Sequence, residues 1–143
     1  MTNRQEIDSY DMDDFVLGRQ FFVRFASTVY AADLPIQGKE SVSFWLHKRR
    51  KVVIGAKAHL QNRSEDGVYI VGNTGRRATK KWEEMTWDSL RSGGVDRYFQ
   101  RIFFTPKGVS PTRSKMHAIA ELSQFGQVTH YDDDPRTAIS ISK

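Results

Sequence analysis

The chain is 143 residues long with 38% hydrophobic and 12% aromatic residues, enough for one folded domain with its own core but not for a second lobe. It has no cysteine, which excludes disulfides, thiolate metal sites and cysteine nucleophiles. The net charge of +5 is uneven: residues 1–18 hold five acids against Arg4 alone, and the remaining 21 basic and 12 acidic side chains leave +9.

Residues 1–18 read as an acidic N-terminal tail, and residues 19–143 as the domain. Gln20–Phe25, rich in aromatic and β-branched residues, predicts a strand, and residues 27–38, with Pro35, a loop. From Lys39 to about Arg50, Val42, Trp45 and Leu46 recur at helical spacing, and the basic end suits a helix C-terminus. Lys51–Ala56 predicts a strand, residues 57–67 a polar loop, and Val68–Val71 the next strand. A helix over 78–92, with Trp82, Met85, Thr86 and Leu90 on one side, is stopped by Gly93-Gly94. Arg101–Phe104 predicts a strand, Thr105–Pro111 a turn-rich loop, and Ser114–Phe125 a helix with Met116, Ile119, Ala120 and Leu122 inward. Gln127–Tyr131 is a short strand, followed by a helical turn over 137–141.

Strands alternating with helices imply parallel pairing through right-handed crossovers. The expected fold class is therefore α/β, a three-layer sandwich with a mostly parallel central sheet. In such sheets ligands collect at the carboxyl ends of the strands, which puts Thr74, the loop after Thr105 and Asp132–Asp134 on one rim. No apolar run approaches the roughly 20 residues of a membrane helix, and the N-terminus lacks a signal-peptide pattern, so a cytoplasmic protein with no membrane partner is expected.

One order of motifs carries chemistry. The run Val68-Tyr69-Ile70-Val71-Gly72 ends at Asn73-Thr74-Gly75-Arg76; Lys115 opens an apolar-periodic segment; and that segment leads to Val128-Thr129-His130-Tyr131-Asp132-Asp133-Asp134-Pro135. This order resembles motifs II, III and IV of the haloacid dehalogenase-like (HAD) phosphohydrolases, over roughly residues 20–141. The resemblance implies a HAD-like, capless domain, since there is no room for a large cap. It also implies roles. Thr74 matches the motif II hydroxyl and Lys115 the motif III lysine, which clamp phosphoryl oxygens, with Gly75 and Arg76 as companions in phosphate binding. Asp132 and Asp133 match the motif IV carboxylates that hold Mg2+. Without the family, Thr74-Gly75 also reads as a helix cap and turn, Lys115 as a solvated first-turn lysine, Asp132–Pro135 as an acidic turn, and His130 as a packed strand residue.

Motif I requires a hydrophobic strand followed by Asp-x-Asp-x-Thr, where the first aspartate attacks phosphorus and the second is general acid and base. The alignment that keeps the strand, Val23-Arg24-Phe25-Ala26-Ser27-Thr28, matches Thr28 but puts Arg24 and Ala26 at the aspartate positions. Arginine stays protonated and cannot accept a phosphoryl group. Asp11-Met12-Asp13-Asp14-Phe15 has the spacing, but Gln5–Tyr10 ahead of it is too polar for a central buried strand; Asp33 is a further substitute. The leading expectation is thus a pseudoenzyme, a catalytically degenerate HAD-like domain acting by binding. The basic clusters at Lys48–Lys51, Arg76–Lys81 and Arg97–Lys115 favour nucleic acid or another polyanion, or a protein assembly, as partner. The alternatives are an active Mg-dependent phosphatase or phosphoesterase on nucleotides or nucleic-acid ends, and a structural subunit. Trp45, Trp82, Trp87, Tyr98 and Phe99 are candidates for stacking or interface roles.

Overall fold

The computed structural model describes residues 4–13, 16–18 and 50–132. The strand expected over 20–25, the loop over 27–38, the helix over 39–49 and the turn over 137–141 lie outside the described residues. Within them the elements run β1 (Gln5–Tyr10), β2 (Leu17–Gly18), β3 (Lys51–Val52), α1 (Ala56–Glu65), β4 (Tyr69–Arg77), α2 (Lys80–Ser92), β5 (Arg101–Thr105), α3 (Pro111–Leu122) and β6 (Gly126–Tyr131). Four strands form one sheet in the order β5-β4-β1-β6, every neighbouring pair parallel, while β2 and β3 make a short antiparallel pair.

Parallel strands covered on both faces need apolar residues facing both ways. Ile70 packs with Tyr10, Leu60, Leu90 and Phe99 on the α1/α2 face, and the adjacent Val71 packs with Ile7 and Leu122 on the α3 face. This is the expected three-layer α/β arrangement. After β4 and β5 are laid down on one side of β1, the chain crosses back to add β6 on the other. In open α/β sheets ligands gather at such a reversal, here the carboxyl ends of β1 and β6.

β1 corrects the expectation of an N-terminal tail. Residues 7–10 are buried in the middle of the sheet, although Asp8 and Ser9 are polar. Burial is tolerated because both are satisfied. Arg63 of α1 donates to Asp8 through Nε (2.7 Å) and through a second nitrogen (3.0 Å), and the Tyr10 hydroxyl donates to the same carboxylate at 2.8 Å. Ser9 is paired on the opposite face with His130 of β6.

The expected polar loop over 57–67 is helix α1. Only Leu60 of it is buried, so there is no apolar stripe to read, and its hold on the sheet runs through Arg63 and through His59, 2.7 Å from the Tyr10 hydroxyl. The strand expected to end at Val71 continues to Arg77, and the one expected over 51–56 is cut to Lys51–Val52. Helix α3 starts earlier than expected, at Pro111, where the Ser110 hydroxyl accepts the Arg113 N–H. Its buried face is Ser114, Lys115, Ala118 and Leu122, and Met116 is exposed. The phase differs from the apolar expectation because a lysine belongs to the buried stripe. Tyr98 and Phe99 are core residues; Trp82 and Trp87 are half-buried.

Replacing Arg63 by Met strands the Asp8 carboxylate in the sheet. Urea unfolding should show a loss of about 3 kcal/mol, the usual cost of removing one partner of a buried ion pair; a loss under about 0.5 kcal/mol would mean that Arg63 does not support β1.

Candidate active site

The side-chain cluster at the end of β1 is built around one ammonium. Lys115, on the second turn of α3, donates from Nζ to Asp11 Oδ1 at 3.0 Å and to Asp132 Oδ2 at 2.7 Å. Asp11 is the first residue after β1 and Asp132 the first after β6, so neighbouring strand ends deliver two carboxylates to one point. Lys115 reaches them because α3 lies close against β4. Asn73 Nδ2 donates to the Lys115 carbonyl at 3.1 Å, and a Cβ on Gly75 would stand 3.0 Å from Pro111 at the start of α3.

Asp132 is also fixed from its own strand. His130 Nε2 lies 2.9 Å from Asp132 Oδ2, and His130 Nδ1 lies 2.9 Å from Ser9 Oγ. An ionised carboxylate only accepts, so Nε2 carries the proton and the Ser9 hydroxyl supports the other ring nitrogen. His130 is thus the support of a site carboxylate, a role that its lone position in the sequence did not reveal.

Asp13, two residues beyond Asp11, is held from the other side. Arg76 forks onto it through Nε (3.0 Å) and a terminal nitrogen (2.7 Å), its third nitrogen donates to Thr86 at 2.9 Å, and Arg50 stands 3.2 Å from the same carboxylate. The Arg76 guanidinium, expected at phosphate, is engaged with these two partners. Thr74 is buried on β4, beside β1; its hydroxyl oxygen accepts the Arg76 N–H at 3.1 Å and its carbonyl accepts the Thr105 hydroxyl at 3.0 Å. Met12 between the two aspartates is fully buried, and Gly72 has no side chain because a Cβ there would stand 2.6 Å from its terminal methyl.

The carboxylate facing Lys115 and Asp132 is therefore Asp11, at the end of the central strand. The alignment that gave this position to Arg24, with Ala26 and Thr28, is corrected; those residues, like Asp33 and Asp133, lie outside the described residues. The sequence signal for this position is the Asp11-Met12-Asp13 spacing, which the polarity of β1 masks.

Burial, reinforced by the Asp132 charge and opposed by Lys115, pushes the Asp11 carboxyl up to about 8. For Lys115, burial works against the charged form, but Asp11 and Asp132 outweigh it and hold the ammonium above its ordinary value. With Asp11 and Asp132 both ionised, the single Lys115 ammonium would leave the centre short of positive charge, which is why Asp11 keeps its proton. That deficit, with oxygen-only donors, fits a hard divalent cation of the magnesium type, which takes one or two carboxylates and fills its remaining positions with water and phosphate. No group of three metal-ligating side chains occurs among the described residues.

Because the folded chain holds the Asp11 proton up to about pH 8 and the unfolded chain releases it near 3.8, the Asp11 contribution to stability is largest below pH 3.8 and is lost as pH rises through about 8. Urea midpoints measured from acid to mild alkali in the presence of a chelator should fall less steeply for Asp11→Asn than for the parent chain. Parallel slopes would contradict a desolvated Asp11.

No family model and no curated protein matches the chain. Solved structures do. A haloacid dehalogenase-like hydrolase of Streptococcus pneumoniae aligns with a TM-score of 0.65 at 10% identity, over 96% of this chain and 80% of its own. Candidate phosphatases of Clostridium difficile (0.61, 13% identity, 99% and 83% covered) and Clostridium acetobutylicum (0.56, 12% identity, 90% and 76% covered) align as well. With its parallel β5-β4-β1-β6 sheet and the carboxylates of β1 and β6 at one rim, the chain has the HAD-like fold.

Proposed function

We propose that the chain is a phosphoester hydrolase in which Asp11 is the nucleophile. The observation that carries this reading is the Lys115 ammonium shared between Asp11 and Asp132 at the carboxyl ends of adjacent strands. An Asp11 oxygen attacks phosphorus, the bond from phosphorus to the leaving oxygen breaks, and a water then attacks the acyl phosphate to release inorganic phosphate and restore the carboxylate. Lys115 orients Asp11 and neutralises charge on the phosphoryl oxygens; Thr74 offers a hydroxyl donor from the neighbouring strand. Asp13, two residues beyond Asp11, takes the base role on the attacking water as a carboxylate held by Arg76 and Arg50, and the leaving oxygen departs as the anion and takes its proton from solvent. Asp11 and Asp132 would hold a magnesium ion, which supplies fixed positive charge against the transferring group. His130 and Ser9 keep Asp132 aimed at that point.

A pseudoenzyme would need the nucleophile's place to be taken by a group that cannot attack phosphorus, whereas Asp11 supports the working reading. The full chain should hydrolyse p-nitrophenyl phosphate with added magnesium and stop with a chelator. Asp11→Asn should lower kcat by at least about 10³-fold. Hydrolysis that survives this substitution, or no hydrolysis of any phosphate ester by the parent chain, would overturn the proposal.

His130→Gln should weaken activation by magnesium about 10- to 100-fold, read as a rise in the half-activating concentration, because it removes the outer support of a ligand. An unchanged magnesium dependence would restrict His130 to packing.

A further inference from the structure

A groove of about 1390 Å³ runs between α2 and the segment from Arg50 to Lys57. Five cationic side chains line it, Arg50, Lys51, Lys57, Lys80 and Lys81, against two acids, Glu84 and Asp88. Glu84 is 3.9 Å from Lys80, a solvent-exposed pair that offsets little of the field. Arg50, which lines the groove, stands 3.2 Å from Asp13 and so links the groove to the site. On the other side of Val53 and Ile54, which belong to both, lies an apolar notch of about 220 Å³ lined by His59, Tyr131 and Tyr10. The Tyr131 ring stacks on Tyr10 at 4.7 Å, His59 meets it edge-on, and Ile54 on the shared wall is fully exposed. Tyr10 and Tyr131 immediately precede Asp11 and Asp132.

A cationic trough beside a ring-lined notch matches the two needs of a single nucleic-acid strand, with charge tracking the phosphates and a ring-walled recess for a base. An acidic protein would use the trough and have no need of the notch. We infer that the groove and notch bind single-stranded nucleic acid and lead a terminal phosphate of the strand to Asp11. The phosphate-transfer half of this inference rests on the proposed hydrolase function, whereas the binding half does not.

The test is fluorescence anisotropy with a short fluorescein-labelled single-stranded DNA of mixed sequence and the full chain in chelator, so that no turnover is needed. Four lysines on phosphates give an expected slope of log affinity against log salt of about −3. Lys57→Glu/Lys80→Glu should weaken binding tenfold or more and roughly halve that slope, and the milder Lys57→Gln/Lys80→Gln, checked for an unchanged melting temperature, should act in the same direction. His59→Ala should weaken binding about fivefold or more with the slope unchanged. Gln124→Glu, at an exposed position between α3 and the amino end of β6, on the opposite rim of the sheet, should have no effect. Absence of binding at low salt, equal losses from Gln124→Glu and the groove variants, or binding of an acidic polypeptide that the DNA cannot displace would each overturn the inference. Failure of p-nitrophenyl phosphate turnover would count against the hydrolase reading alone.

Discussion

The shared ammonium of Lys115 is the constraint around which the molecule is arranged. Two carboxylates brought together out of water need a cation or a retained proton between them, and a buried ammonium stays charged where carboxylates receive it. The interaction therefore joins three elements at once: the end of β1, the end of β6 and the second turn of α3. It also sets the phase of α3, since the face carrying Lys115, Ala118 and Leu122 must point to the sheet. The close approach at Gly75 and the bond from Asn73 to the Lys115 carbonyl keep that face in place.

A second layer of polar burial supports the first. Asp8 is held by Arg63 and Tyr10 on one face of β1, and Ser9 by His130 on the other, so the strand that ends in Asp11 is fixed on both faces by partnered polar groups. Such contacts are directional where apolar packing is not, and they set the register of β1 against β6, which decides whether Asp11 and Asp132 meet. The clamp of Arg76 and Arg50 on Asp13 does the same for the loop beyond the strand.

The general architecture was legible because it depends on patterns that survive averaging. β4 opens on the apolar run Tyr69–Val71 and β5 carries Ile102–Phe104, α2 has a clear stripe from Met85 to Leu90 with a Thr79 cap and a glycine stop, and the alternation of strands with helices yields the parallel sheet. Thr74, Lys115 and Asp132 were read from their order, and the structure brings Lys115 and Asp132 into contact while Thr74 stands on the strand beyond β1. β1 was not legible because hydrophobicity was used as the test of centrality, and that test fails for a strand whose buried Asp8 and Ser9 find partners 55 and 121 residues away. Helix α1 escaped for a related reason: with Leu60 as its one buried residue, it attaches through side-chain hydrogen bonds that leave no periodic trace. An apolar strand points to Arg24 as motif I, whereas the Asp-x-Asp spacing points to Asp11.

The most direct test is chemical trapping of the phosphorylated carboxylate. Protein quenched during turnover of p-nitrophenyl phosphate and reduced with borohydride should yield, on peptide mass mapping, homoserine at position 11 and at no other aspartate. Turnover that leaves Asp11 unmodified, or that marks another carboxylate, would contradict the account.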